Sequence, residues 1–434
     1  MGISFPYDRS KRYLDGIDWT IAALDALNKR HTQCGNVSQL VLTLSGDIDE
    51  QRVRDRLHTI AADIRFLSGT TKRDLNLAPY WHAPRSHADA IAFVVVGVSN
   101  EQEATAALAG AVNSPFDHSR QHVRFTLVRG GDAVYLAMQF DHCLLDAKGA
   151  EMLLALIVSE ASIDASALCI PQHPYLDRWR KCFEAGRDVN RFLRAVYAVP
   201  SVAVLAKHRE PCSVENGFSM HTFTAKESES IERIAFETAG YLMIMPYLMA
   251  VTLRAFYAVY AGDGTAIVSL NTDTRGRTAG SETIFFNRLS FYHLKADRAD
   301  AADVKRLAAM LRMQWYEQTK HGLPAKLALA SSLTRIAPLG LTSRGVEAGL
   351  MKNPISFAFS YIADSRADAR QAFGVNVTDL RHMPIVPFFP GVGVFFTKSH
   401  GRLHLVVSYC PDRVIPSVAE RFASVIVDTL SGAL

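Results

Sequence analysis

The segment Phe140-Asp141-His142-Cys143-Leu144-Leu145-Asp146-Ala147-Lys148-Gly149-Ala150 most restricts what this chain can fold into. A strand-like apolar run, Ala133 to Phe140, ends at it, and a helix-like apolar run to about Val158 begins in it. One histidine stands at that junction, with an aspartate four residues later. Histidine is a suitable general base near neutral pH. An aspartate turned back into the fold can hold the loop that aims it.

The neighbouring runs set the fold class. Val123–Val128 and Ala133–Phe140 read as strands around Gly130-Gly131, a hairpin signal. Upstream, helical periodicity over Asp18–Asn28, Glu50–Ile64 and Glu101–Ala111 alternates with strands at Val37–Leu44 and Ala90–Val98. The first half is therefore expected to be a mixed α/β unit whose last element carries the motif.

The second half predicts strands at Phe218–Phe223, Ala266–Asn271, Phe285–Leu294, Ile355–Tyr361, Val392–Thr397 and Leu403–Tyr409. Helices are expected at Ser228–Ala239, Leu242–Tyr260, from Ala302 onward and at Ser417–Leu430. Between the halves, Arg178, Arg180, Lys181, Arg187, Arg191, Arg194, Lys207 and Arg209 sit among aromatics and prolines. Such a stretch reads as a linker whose helices pack on one face and are solvated on the other. The other reading is a basic amphipathic element for a membrane surface or carrier protein. The expected division is 1–161, a linker at 162–216, and 217–434.

At 434 residues the chain suits two domains. Its 49% hydrophobic and 21% charged residues are those of a globular protein, and a net charge of +4 is small for this length. No basic block or aromatic-basic stripe points to nucleic acid. The scattered cysteines (Cys34, Cys143, Cys169, Cys182, Cys212, Cys410) form no Cys-x-x-Cys pair, which favours reduced thiols and a cytoplasmic location. His31 and Cys34 have ligand-like spacing, but no second pair accompanies them, so no metal is expected. Met1 to Arg9 has no apolar signal core. Pro246 and Arg254 interrupt the apolar stretch from Tyr241 to Ala261, which reads as a buried helix and not a membrane span.

His-x-x-x-Asp occurs three times. His173/Asp177 lies in a proline-broken linker, and His293/Asp297 runs from a strand end into a charged loop. Only His142/Asp146 lies between a buried-looking strand and an apolar helix. In that context the sequence resembles the chloramphenicol acetyltransferase-like superfamily, which includes condensation domains, BAHD acyltransferases, wax ester synthases and polyketide-associated acyltransferases. Their shared motif is His-His-x-x-x-Asp-Gly; here Asp141 replaces the first histidine and Ala147 the glycine, whose backbone freedom alanine lacks. Gly149 is placed to absorb part of the turn. Pro79-Tyr80-Trp81, Ser114-Pro-Phe-Asp117, Val268 to Arg277, Phe286-Asn287-Arg288 and Pro390 to Tyr409 look like further landmarks in the superfamily's order.

The resemblance implies two similarly built α/β subdomains meeting at a tunnel, with the histidine midway. It implies His142 as catalytic base and Asp146 as a structural aspartate paired with Arg275, or secondly with Arg65. Asn287, Ser360 and Tyr361 become candidates for contacting substrate or the oxyanion. It implies a monomer without a permanently bound cofactor, taking an acyl group from coenzyme A or a carrier-protein phosphopantetheine. The acceptor is a small-molecule hydroxyl or amine, in secondary-metabolite or lipid biosynthesis. The alternatives are a free-standing condensation enzyme forming an amide and a degenerate docking or assembly protein.

Overall fold

A computed structural model describes residues 10–32, 34–131, 133–161, 179–205, 215–241, 243–275, 283–363 and 370–432. Within the expected linker, 162–178 and 206–214 lie outside them, and so do His173, Asp177, Cys169, Cys212 and the Gly276-Arg277 end of the arginine landmark.

Two six-stranded mixed sheets organise the chain. The first runs, in spatial order, Gln371–Ala372, Val375–Pro384, Val37–Leu44, Val134–Asp141, Val123–Arg129 and Ile91–Gly97. The motif strand Val134–Asp141 is therefore interior, and both its faces are covered. Leu136, Met138 and Phe140 join Leu40, Leu42, Leu44 and the motif helix Ala147–Val158 in one core. Tyr135 and Ala137 face the other way, toward Leu108 and Val112 of the helix Glu101–Asn113. Burial on both faces explains why this run is nearly continuously apolar.

The second sheet runs Leu289–Ala296, Ala266–Asp273, Phe357–Ile362, Val392–Ser399, Arg402–Tyr409 and Gly217–Thr222. The apolar helix Ile244–Val259 fills the core beneath it. Among the described residues no single helix is long and apolar enough to cross a membrane; the pair Ala225–Ala239 and Ile244–Val259 passes by composition but is bent by 93°.

The structure departs from the sequence reading at two strands, and in the basic stretch it has the one-sided helix expected of a linker. Val375–Pro384, unpredicted, comes from the second half yet pairs antiparallel with Val37–Leu44, so the division at 217 does not separate the sheets. Buried Asp379 and His382, and a bulge between Val377 and Asp379, hide its alternation. The strand expected over Phe285–Leu294 starts only at Leu289, because Phe286 adopts φ 68°, the left-handed region. In the basic stretch, the helix Trp179–Val196 buries Cys182, Ala185, Val189 and Val196 and packs on the helix Leu323–Ser331. Arg180, Lys181, Arg187, Arg191 and Arg194 are exposed.

Candidate active site

His142 follows the last residue of the motif strand, and its loop is held from both halves of the chain. Within the first lobe its N–H donates to the Asn36 carbonyl at 3.0 Å. Leu144 and Leu145 N–H groups both return to the Asp141 carbonyl, at 3.0 and 3.1 Å, closing a tight turn. From the second half of the chain, Phe286 N–H donates to the Leu144 carbonyl at 2.6 Å and Asn287 Nδ2 to the His142 carbonyl at 2.9 Å. A left-handed non-glycine backbone costs on the order of 1–3 kcal/mol. Phe286 is held there by the Leu144 bond and by packing on Trp81, with ring centroids 5.9 Å apart.

Asp146 caps the motif helix and ties the lobes together. Oδ1 accepts from Gly149 N–H at 2.8 Å and Arg275 Nη2 at 2.8 Å. Oδ2 accepts from Arg275 Nη1 at 2.9 Å and Arg288 N–H at 2.8 Å. The pair is bidentate and buried, the geometry in which arginine grips a carboxylate best. Burial disfavours the charged guanidinium, but the carboxylates of Asp146 and Asp273 together outweigh it and raise the Arg275 pKa. Arg65 does not share this pairing: it lies in the turn Arg65–Ser68, with its guanidinium 5.6 Å from the Phe66 ring.

Ala147 opens the helix in ordinary helical backbone, so glycine's freedom is not used there. The constrained position is Gly149, where a Cβ would meet the Ile284 carbonyl oxygen at 2.1 Å. Asp141 is also accounted for. Its Oδ2 faces His122 Nδ1 at 2.8 Å and its Oδ1 accepts from Cys143 N–H at 2.8 Å. Burial opposes its ionisation most strongly, but His122, the Lys29 ammonium and the Cys143 N–H together outweigh it and hold the carboxyl below its ordinary pKa.

The His142 imidazole packs against Phe140, with ring centroids 5.3 Å apart, and its buried Nδ1 has no hydrogen-bond partner. Burial lowers its pKa from the ordinary 6.5, against the opposing pull of Asp146, Asp141 and the Leu145 backbone. A neutral imidazole is the form that accepts a proton. Burial pushes the Cys143 thiol well above its ordinary pKa, which disfavours the thiolate.

The three oxyanion candidates are not brought together. Asn287 Nδ2 donates to the His142 carbonyl and, at 3.4 Å, to Asp18 Oδ1 of the helix Gly16–His31, which commits its amide protons to the loop and that helix. Tyr361 packs on the second core with Phe357 and Phe359, and Ser360 points to the opposite face of the same strand. Sequence reasoning missed Asp18, Arg12 and His122. Asp15-x-x-Asp18 is a capping-box pattern, formed as such in the structure. His122 falls beside Asp141 because the hairpin register pairs Val123 with Phe140.

No protein-family model and no curated protein matches the sequence. Solved structures do match. A trichothecene 15-O-acetyltransferase from Fusarium sporotrichioides is 12% identical, over 97% of this chain and 95% of that one, with a TM-score of 0.70. The first condensation domain of the calcium-dependent antibiotic synthetase, bound to a substrate analogue, is 12% identical over 98% and 96%, with a TM-score of 0.69. The epimerization domain from the third module of tyrocidine synthetase B is 13% identical over 97% and 95%, with a TM-score of 0.63. The chain has the two-lobed α/β fold of these proteins.

Proposed function

We propose that this protein is an acyltransferase that moves an acyl group from a coenzyme A or carrier-protein thioester to a hydroxyl or amine. The observation that carries the reading is the placement of His142: a histidine with a buried Nδ1, on a loop clamped by Asp146, Arg275 and Asn287, where burial lowers its pKa. The fold it shares with an O-acetyltransferase and a condensation domain supports the same class, although fold alone does not assign chemistry.

In this mechanism the donor and acceptor meet at the seam between the lobes. With Nδ1 buried, Nε2 takes the acceptor's proton as its oxygen or nitrogen bonds to the thioester carbon. The tetrahedral intermediate collapses, the carbon–sulfur bond breaks, and the imidazolium returns the proton to the leaving thiolate. No acyl-enzyme forms, in keeping with the raised Cys143 pKa. Asp146 and Arg275 position the loop and take no proton.

The test is thiol release from a panel of acyl-coenzyme A and carrier-loaded acyl thioesters with alcohol and amine acceptors, wild type beside His142→Ala. Acceptor-dependent release lost in a folded His142→Ala protein is expected. Equal release by both proteins removes His142 from the mechanism.

A further inference from the structure

Arg12 and Asp18 lie on the other side of Asn287 from the histidine. Asp18 Oδ1 accepts from the Asn287 N–H at 2.9 Å and from Nδ2 at 3.4 Å, and the same Nδ2 holds the His142 carbonyl at 2.9 Å. Asp18 Oδ2 accepts from Arg12 Nη1 at 2.6 Å and from the Asp15 N–H at 3.2 Å. Arg12 and Asp18 are each 1% exposed. The Arg12 guanidinium carbon also sits 3.6 Å from the centroid of Phe286, whose N–H binds the Leu144 carbonyl. Arg12 thus touches both supports of the motif loop, one through Asp18 and one directly.

Stability alone is a poor account of this pair. Arg12 Nε and Nη2 are buried without hydrogen-bond partners. A buried ion pair with unsatisfied donors is commonly no more stable than an apolar replacement of the same shape. What the arrangement does provide is direction, because Asp18 fixes the Asn287 amide in the one orientation that donates to His142.

We propose that Arg12 and Asp18 are positioning residues for His142, acting through Asn287 and Phe286. The proposal rests on His142 being the base, and displacing a catalytic group by about 1 Å can cost about 100-fold in rate.

The experiment compares Arg12→Lys, Arg12→Met, Asp18→Asn and Asn287→Ala with Tyr257→Phe. Tyr257→Phe is a control that removes hydrogen bonds to Gly264 and Ala296 in the second lobe, away from the loop. For Asp18→Asn and Arg12→Met, kcat is expected to fall about 10- to 100-fold with KM within about twofold, and Arg12→Lys is expected to lie between these and wild type. In an Asn287→Ala background Asp18→Asn is expected to add less than about twofold, the signature of a shared route. Should Arg12→Met fail to fold, Arg12→Lys and Asp18→Asn carry the same test.

A readout independent of turnover is the NMR titration of the His142 imidazole in histidine-labelled protein, assigned with His142→Gln. It is expected to move toward the ordinary histidine value in Asp18→Asn and to stay in place in Tyr257→Phe. Full additivity of Asp18→Asn with Asn287→Ala, or an unmoved imidazole with unchanged kcat, overturns the proposal. If wild type turns over no donor, the acyltransferase reading fails by itself, and the titration still decides the positioning.

Discussion

Asp146 is the residue whose loss spreads furthest, because each of its oxygens serves two donors. Removing one member of a buried pair leaves the other charged and unsolvated, at a cost of about 3–5 kcal/mol. Asp146→Ala is therefore expected to lower the urea unfolding free energy by about that amount as well as to lower activity, whereas His142→Ala leaves the unfolding midpoint near wild type. For the histidine itself, burial lowers the pKa, so the neutral base persists below the ordinary 6.5. The acid limb of kcat/KM is accordingly expected at a pH below about 6.5; a limb at or above 6.5 places the required base elsewhere. At this scale the sequence was legible where a motif ties a residue type to a position, as for His142 and Asp146. Arg12 and Asp18 were not legible, because Asp18 and Asn287 meet only across 269 positions of chain.

The motif helix shows how an element can keep its geometry while its sequence departs from a pattern. Ala147 is helical, so restoring glycine there is expected to bring no gain in activity and to cost up to about 1 kcal/mol through helix propensity. Gly149→Ala is the damaging change, since its methyl would overlap the Ile284 carbonyl, which is backbone and can move only with the segment leading to Phe286. Overpacking of this kind costs about 1–3 kcal/mol. Urea unfolding of the two variants checks the contrast: a stable Gly149→Ala with full activity contradicts it. Elements with strong periodicity, such as Val37–Leu44 and Ile244–Val259, were readable in advance. Val375–Pro384 was not, because its buried Asp379 and His382 are paired with His404 and Glu151 instead of being replaced by apolar residues. At Phe285–Arg288 the apolar pattern promised a strand, but local hydrogen bonding to the motif loop took the backbone out of it.

Across the whole molecule, buried ionisable groups make stability depend on pH in opposing directions. Glu151, on the motif helix, meets His382 of the crossing strand at 2.9 Å and Lys148 at 3.2 Å; burial resists its charge, but the two partners together lower its pKa below 4.5, so its contribution is lost only below that pH. His293 acts higher. It lies on the strand Leu289–Ala296, with Phe192 of the helix Trp179–Val196 at 6.4 Å between ring centroids. Burial pushes its pKa from 6.5 down to about 4. Between those values the unfolded chain binds a proton that the folded chain does not, so this group's share of stability falls as pH falls from 6.5 to about 4. The full effect is at most on the order of 3 kcal/mol. Asp15, which burial pushes up from 3.8 to about 6, contributes with the opposite sign between those two values. The informative quantity is therefore a difference, in which Asp15 and Glu151 cancel. Urea unfolding of wild type and His293→Leu at intervals from pH 7.5 to 4.5 is expected to show the mutant gaining on wild type steadily below pH 6.5. A constant gap across that range means that His293 is protonated in the folded protein as readily as in the unfolded one, and that the contact between the linker helix and the second sheet is open to water.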